Sequence, residues 1–259
     1  MNWYKKAEER TAPVPAKQFR AMTWKEKVAL AWNTSISHQT QQLFFTQKYE
    51  RKWYVLQYLA DNTNLSSQTQ LMFFTQKYKG KGDALWYLAK NRSISQQTQL
   101  MFFTQEYEDK DYALGYLAQN RSISPLTQQL FFTQEYEDKG YILWYLAMNS
   151  NIAQETQRLF FTERYEWKGY VLQDLARNES IAPEIQPLFL TQEYPKKNDV
   201  LEYLAWNPSF LRGDFTTAQW RSIKNAARGS MRLLILSKRL EQIQKVAADI
   251  IRGKLKGGL

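Results

Sequence analysis

Hydrophobic and polar residues recur along this chain with a period of 29 residues. The pattern Leu-Ala-x-Asn occurs seven times, at Leu30, Leu59, Leu88, Leu117, Leu146, Leu175 and Leu204. Between these positions an aromatic block begins six times, at Phe44, Phe73, Phe102, Phe131, Phe160 and Phe189. Because both series advance in equal steps without an insertion, the chain is an array of repeats. The fold can therefore be predicted from one repeat.

The first half of each repeat has the pattern of an amphipathic helix. In SQQTQLMFFTQEY, residues 95–107, a broad apolar stripe is formed by Leu100, Met101, Phe102 and Phe103. Ser95 precedes this stripe and is a residue type that caps helix N-termini. Pro125 and Pro183 follow the equivalent cap positions in other repeats, where the missing N–H of proline costs nothing. We therefore predict a helix from about Ser95 to Tyr107.

The second half of each repeat predicts another helix, after a polar loop such as EDKG. In YILWYLAMN, residues 141–149, the apolar positions have the spacing of one helical face, with Ile142, Leu143, Leu146 and Ala147. Asn149 stands at the end, and Asn tolerates the left-handed conformation that terminates many helices. The pattern thus predicts two helices for each repeat.

A single pair of helices of this size would not be stable alone. Burying about eight side chains at about 2 kcal/mol each does not offset an ordering cost of about 1 to 2 kcal/mol per residue. Stacked repeats share their apolar faces, so the prediction is an all-α protein, a right-handed α-solenoid of two-helix repeats with a helical C-terminal cap. The predicted parts are a basic N-terminal extension (residues 1–23), the solenoid (24–210) and a basic cap (211–259), where the repeat pattern stops.

The repeat sequences also carry a family resemblance. The segments YLAKNRSISQQTQLMFF, YLAQNRSISPLTQQLFF and LARNESIAPEIQPLF resemble variant leucine-rich repeats, which belong to the wider HEAT-like group of helical solenoids. The resemblance covers roughly residues 24–210 and implies an interaction scaffold, since only some relatives are enzymes. The chain departs from the usual variant repeat in two ways. Its units are longer, because they include the stretch TQEYEDKG, and it has no cysteine, which excludes the iron-sulfur cluster attached to some members of the family.

Composition narrows the chemistry further. Without cysteine the chain has no disulfide, thiolate metal site or cysteine nucleophile. Its one histidine, His38, replaces Ser, Gln or Pro of other repeats, and no Gly-rich phosphate loop, paired histidine ligands or nucleophile elbow is present. We therefore expect no catalytic residue, no cofactor, no metal and no enzyme. No signal-peptide pattern or long apolar stretch is found, so a cytoplasmic location is expected.

Several polar residues recur in every repeat and are predicted to maintain the fold. A catalytic residue is needed once, whereas a residue that caps helices or joins repeats by hydrogen bonds is needed in each unit. Three such series begin at Gln41, Thr46 and Asn33 and advance by 29 residues. The tyrosine columns, such as Tyr58, Tyr87, Tyr116 and Tyr145, are predicted to pack in the same way.

The candidate partner-binding residues are those that vary while their neighbours repeat. On the second helices, two positions four residues apart change from unit to unit, and exposed Trp, Met and Arg are typical of interface anchors. The predicted recognition strip contains Trp86, Lys90, Trp144, Met148, Arg177 and Trp206. It predicts a scaffold that binds a protein or peptide; the alternative for these residues is a solvated face whose sequence drifts.

The net charge of +10 lies at the two ends of the chain and offers a second candidate partner. Residues 211–259 hold eleven basic and three acidic side chains, and residues 1–35 hold seven and three. Basic helices can bind nucleic acid, whereas a membrane partner is not expected. The candidate nucleic-acid-binding residues are Arg221, Lys224, Arg228, Arg232, Lys238 and Arg239. Because HEAT-like solenoids include DNA glycosylases, the resemblance also leaves open a catalytic Asp, such as Asp83 or Asp174 within the tyrosine columns.

The nucleic-acid alternative predicts binding that depends steeply on salt. Labelled single-stranded and duplex DNA and RNA would be titrated with the full chain at about 50 and about 200 mM salt, with fluorescence anisotropy as the readout. Charge reversal at Arg228, Arg232, Lys238 and Arg239 should then abolish binding. If no nucleic acid binds at the lower salt concentration, this alternative is wrong.

Overall fold

The computed structural model describes residues 12–211, and all regular elements in this part of the chain are helices, which confirms the all-α prediction. The chain divides into two compact units, Met1–Thr156 and Gln157–Leu259. Residues 1–11 and 212–259 lie outside the described residues, and with them the predicted C-terminal cap. Within residues 12–211, no helix combines the length and the apolar character required to cross a membrane.

The helices alternate between first and second halves of the repeats. The unit Met1–Thr156 contains α1 (Ala16–Ala21), α2 (Trp24–Trp32), α3 (His38–Thr46), α4 (Lys52–Ala60), α5 (Ser67–Thr75), α6 (Lys81–Lys90), α7 (Gln96–Thr104), α8 (Lys110–Gln119), α9 (Pro125–Thr133) and α10 (Lys139–Ala147), and α11 (Gln154–Thr162) begins in it. The unit Gln157–Leu259 contains α12 (Lys168–Arg177), α13 (Gln186–Thr191), α14 (Lys197–Trp206) and α15 (Pro208–Leu211).

Neighbouring helices pack in series within each unit. In the unit Met1–Thr156 the second helices α2, α4, α6, α8 and α10 lie side by side and form one closely packed layer. The first helices α3, α5, α7 and α9 form the other layer and pack less closely on one another. Consecutive repeats are joined through edge-to-face phenylalanine pairs, for example Phe74 on Phe102 with ring centroids 4.9 Å apart.

The predicted starts of the first helices are mostly confirmed. Ser95 caps α7 by accepting a hydrogen bond from the backbone N–H of Thr98 at 3.2 Å, and Pro125 is the first residue of α9. At Pro183 the chain forms a turn, and α13 begins only at Gln186. The first helix also ends at Thr104 rather than near Tyr107, because the backbone becomes extended at the next residue.

The chain after each first helix folds back and satisfies the last carbonyl groups of that helix. The Tyr107 hydroxyl donates to the carbonyl of Phe102 at 3.2 Å, and the Lys110 ammonium donates to that of Phe103 at 3.0 Å. Burial raises the pKa of Tyr107, so its hydroxyl stays protonated and can donate. This arrangement was not predicted from the sequence, and it recurs with Tyr49, Tyr78, Tyr136, Tyr165, Tyr194, Lys52, Lys81 and Lys168.

The asparagines that follow the second helices have a different backbone from the one predicted. Asn149 is not among the residues with positive φ, and the equivalent Asn120 is extended at φ −71° and ψ 117°, so the left-handed prediction is wrong. Their side chains explain the recurrence. The Asn120 Nδ2 donates to the carbonyls of Ala89 and Asn91 in the preceding repeat, at 2.8 and 2.9 Å, and its Oδ1 accepts from the N–H of Ser122.

The recurring glutamines form a second series of bonds between repeats, as predicted. The Gln70 Nε2 donates to the carbonyl of Ser93 in the next repeat at 3.0 Å, while its Oε1 accepts from the N–H of Ser95 at 2.8 Å. The threonine series differs, because its hydroxyls are exposed and donate within their own helix, as Thr104 does to Leu100. The buried Asn and Gln series therefore connect the repeats, and this threonine series does not.

Residues 12–23, placed by prediction in the N-terminal extension, pack against the first repeat. Phe19 is fully buried, and the N–H of Val14 donates to the Thr40 hydroxyl at 2.9 Å. Lys27 is also buried, with its ammonium 5.1 Å from the ring centroid of Phe19 and 5.2 Å from that of Tyr49. The described part of this segment thus supplies core contacts in addition to its charge.

Replacing Asn91 with alanine should destabilise the protein, because two carbonyls (Ala60 and Asn62) and one N–H (Ser93) lose their partner at a buried site. We expect Asn91→Ala to lower the free energy of unfolding by about 2 to 4 kcal/mol, measured by urea denaturation. The control Thr104→Ala, which removes an exposed bond within one helix, should change it by less than about 0.5 kcal/mol. Equal losses for the two variants would contradict the assigned roles.

Candidate functional site

The second helices of the unit Met1–Thr156 present aromatic side chains on the side away from the core. On α6, for instance, Leu85 and Leu88 are fully buried whereas Trp86 is only half-buried. We call the following set the aromatic face: Tyr54, Tyr58, Trp86, Tyr87, Tyr112, Tyr116, Tyr141, Trp144 and Tyr145. The side chains pack on one another, and the hydroxyl pairs Tyr54–Tyr58 and Tyr141–Tyr145 are 2.7 and 2.6 Å apart.

Two of the predicted partner-binding residues, Trp86 and Lys90, are in contact. The Trp86 ring lies 5.1 Å from that of Tyr116 and 6.1 Å from that of Tyr112, measured between centroids. The Lys90 ammonium lies 5.0 Å from the Trp86 centroid and 5.1 Å from the Tyr116 centroid, a cation–π arrangement. The buried Nε1 of Trp86 has no hydrogen-bond partner among the described residues.

Trp144 and Met148 lie one turn apart at the α10 end of the aromatic face. Trp144 is half-buried, with its ring 5.0 Å from that of Tyr145, and Met148 is 52% exposed. Position 115, equivalent to Trp86 and Trp144, is a glycine. A Cβ atom there would lie only 3.2 Å from the Tyr145 ring, so Gly115 makes room for that ring.

The remaining predicted partner-binding residues, Arg177 and Trp206, belong to the unit Gln157–Leu259. Arg177 pairs with Asp174 at 2.9 Å, and its guanidinium lies 3.7 Å from the ring centroid of Tyr203. Asp174 therefore has a structural partner where it interrupts the tyrosine column. Trp206 is 62% exposed at the end of α14. The structure thus leaves Trp206 accessible and engages Arg177 internally.

The other candidates are placed as follows. The basic residues Arg221, Lys224, Arg228, Arg232, Lys238 and Arg239 lie outside the described residues. His38 contacts the side chains of Ser66, Gln68 and Gln42. In residues 12–211 no group of three His, Asp or Glu side chains is arranged to hold a metal ion.

A cleft that the sequence analysis did not predict lies between α6 and α8. It has a volume of about 360 Å³ and is lined by Gly82, Asp83, Trp86, Asp109 and Tyr112. Asp83 stands where most repeats have tyrosine, so the cleft includes a carboxylate in place of a ring. The sequence signal was this interruption of the tyrosine column, and Asp109 could be assigned to the cleft only from the packing of the next repeat.

The two edges of the second-helix layer have opposite charge near this cleft. At the N-terminal ends of α8 and α10, an adjoining cleft of about 590 Å³ is lined mainly by carboxylates, namely Glu106, Asp109, Asp111, Glu135, Glu137 and Asp138. At the C-terminal ends, a cleft of about 420 Å³ is lined by Lys90, Arg92 and Arg121 with Tyr116. The charges at the two edges would therefore favour one orientation of a charged ligand on the aromatic face, with its basic part near the carboxylates.

Comparison with known proteins adds no assignment to this geometry. No family model matches the chain, and neither a curated protein nor a solved structure matches it. The resemblance to variant leucine-rich repeats therefore stays a prediction from the sequence pattern. The function has to be inferred from the surface of the chain itself.

The close approach of the next repeat to Gly82 supplies a test of the cleft geometry. A Cβ atom at position 82 would lie 2.7 Å from the carbonyl oxygen of Glu108, a contact that the backbone has to relieve. We expect Gly82→Ala to lower the free energy of unfolding by about 1 to 3 kcal/mol in urea denaturation. The variant Gly115→Ala gains helix propensity, which offsets the cost of displacing the Tyr145 ring. Its free energy of unfolding should therefore change by less than about 1 kcal/mol. A larger loss of stability for Gly115→Ala than for Gly82→Ala would contradict this packing.

Proposed function

We propose that this protein is a non-enzymatic scaffold that binds a protein or peptide along the aromatic face. The observation that carries the proposal is the half-exposed cluster formed by Trp86, Tyr112 and Tyr116, with Lys90 stacked on it. Large aromatic side chains with few rotatable bonds supply contact area at low entropic cost, which is why they dominate binding energy at interfaces.

The framework beneath this face supports the same proposal. The repeats that carry the aromatic face are joined to one another through the buried Asn and Gln side chains. These bonds fix the backbone to which the aromatic side chains are attached. A preorganised surface loses less conformational entropy on binding. The variable positions of the aromatic face lie outside this framework and are free to suit a partner.

The repeat family and the handedness belong to this proposal as well. The Leu-Ala-x-Asn pattern and the serial packing of two-helix units favour membership of the variant leucine-rich or HEAT-like group. The right-handed winding of the solenoid stays a prediction within this proposal. Nucleic-acid binding remains the alternative. It relies on basic residues outside the described part of the chain, and the salt titration given above is its test.

Removing both indoles of the aromatic face should weaken peptide binding. A random peptide library displayed on phage would be selected against the immobilised full chain, and enriched peptides would be measured by fluorescence anisotropy. We expect Trp86→Ala combined with Trp144→Ala to raise the dissociation constant by at least about tenfold. The control Trp167→Ala removes an indole that is 59% exposed but lies outside the aromatic face, and it should leave the constant within about twofold.

Two results would contradict the proposal. One is an equal loss of affinity in the double variant and in the control variant, because binding would then not depend on the aromatic face. The other is the absence of any enriched peptide while the chain is folded, as judged by its circular dichroism and its urea midpoint.

A further inference from the structure

We propose that the cleft between α6 and α8 binds a positively charged side chain, lysine or arginine, of a basic peptide. This inference rests on the proposed function and names the chemistry of the partner. The cleft combines two aromatic walls, Trp86 and Tyr112, with two carboxylates, Asp83 and Asp109. Aromatic faces attract cations through their quadrupole, and carboxylates add a full opposite charge.

Equivalent positions in other repeats already hold a cation from the chain itself. In two other repeats the residue immediately before the second helix is basic. Arg51 precedes α4, and Lys196 precedes α14. The Arg51 guanidinium lies 4.6 Å from the ring centroid of Trp24, and the Lys196 ammonium lies 3.7 Å from that of Tyr170. In both cases the cation packs on an aromatic ring in the second helix of the preceding repeat.

At the cleft this internal cation is replaced by a carboxylate. The residue before α8 is Asp109, and its neighbour on α6 is Asp83 instead of the tyrosine found in most repeats. By the repeat period Gly82 and Asp83 correspond to Trp24 and Tyr170, so the ring that holds the internal cation is replaced as well. The aromatic walls of the cleft are instead Trp86 and Tyr112. The cleft therefore combines two aromatic walls with two carboxylates and, among the described residues, contains no basic side chain in its lining, which suits it to accept a cation from a partner.

The basic residues nearest in sequence are engaged elsewhere. The Lys81 ammonium donates to the carbonyl of Phe74, and that of Lys110 donates to the carbonyl of Phe103 and to Glu106. Asp83 accepts a bond from the Gln57 amide at 3.3 Å, and among residues 12–211 neither Asp83 nor Asp109 forms an ion pair. Within residues 12–211, neither carboxylate is therefore paired with a basic side chain.

Lys90 also stacks on Trp86, but it approaches from the other end of the helix. It lies four residues after Trp86, whereas Asp83 lies three residues before it, which separates the two positions by about 10 Å along the axis. The indole therefore contacts an ammonium at one end and borders the two carboxylates at the other. Its contact with Lys90 at 5.0 Å is direct precedent for a cation on this ring.

A second cationic side chain can bind one repeat further along. The adjoining acidic cleft shares Asp109 and Tyr112 with the first and adds Asp111 and Asp138. Helices in contact lie about 8 to 10 Å apart, and three residues of an extended peptide span roughly 10 Å. The geometry therefore favours basic residues three positions apart in an extended ligand.

The direct test uses labelled Gly-Ser peptides that carry two lysines three positions apart, with acetylated and amidated ends. Anisotropy would be measured against the full chain, and the same peptide with norleucine for lysine would serve as the uncharged control. We expect the norleucine peptide to bind at least about tenfold more weakly. A peptide with trimethyllysine should bind more tightly than the norleucine peptide but more weakly than the lysine peptide, because aromatic walls accept quaternary ammonium groups, whereas such a group donates no hydrogen bond to the carboxylates.

Matched variants separate the cleft from general electrostatic attraction. Asp83→Asn with Asp109→Asn keeps the shape of both side chains, and Asn tolerates the left-handed backbone at position 109. We expect about a tenfold loss of affinity for the lysine peptide. The control Glu155→Gln with Glu184→Gln removes the same charge at exposed positions far along the sequence and should change affinity less than about twofold.

The outcomes distinguish this inference from the proposed function. Equal effects of the two double variants, or equal binding of lysine and norleucine peptides, would overturn the cation site. If displayed peptides without Lys or Arg are enriched and lose binding only in the Trp86 and Trp144 variant, the proposed function stands and the cation site does not. If no peptide of either kind binds the folded chain, both are wrong.

Discussion

The structure depends on buried amide side chains that hydrogen-bond to the backbone of a neighbouring repeat. Its helices are short, and each end of a helix leaves several backbone groups without an internal partner. Asn91 satisfies two carbonyls of the preceding repeat, those of Ala60 and Asn62, 31 and 29 residues earlier. Gln70 satisfies one carbonyl and one N–H of the following repeat, those of Ser93 and Ser95. Since each bond joins fixed positions of two repeats, an insertion in either would break it, which explains the unbroken period.

This division of roles decides which positions can encode recognition. The core residues, the Asn and Gln series and the Tyr and Lys side chains that fold back on the first helix are all required by the fold. The outward positions of the second helices are not required, and there Trp86, Gly115 and Trp144 replace one another at equivalent sites. Variation is therefore expected on the aromatic face, where it changes the surface without breaking a bond between repeats.

Much of the fold could be predicted from the sequence, because its signals are local and repeated. The helix pairs, the Ser95 cap and the structural role of Gln70 follow from spacing alone. The left-handed prediction for Asn149 was wrong because backbone tolerance was taken as the reason for Asn, whereas the reason is a bond to another repeat. The cleft was missed for a related cause: Asp83 and Asp109 meet only through packing between two repeats, and each looks like an ordinary substitution within its own.

The position before each second helix shows how one repeat can be open to a ligand while another is closed. The backbone there is left-handed at Arg51, Gly80, Asp109, Trp167 and Lys196, which costs a non-glycine residue about 1 kcal/mol. These side chains make no capping bond, so the fold constrains the backbone at this position but not the identity of the residue. Arg51 and Lys196 pack on an aromatic ring of the preceding second helix, whereas Asp109 lies beside Asp83 and makes the cleft negative. At the cleft two changes act together, Asp109 in place of a basic residue and Asp83 in place of a tyrosine, and both lie at positions whose side chains the fold does not fix.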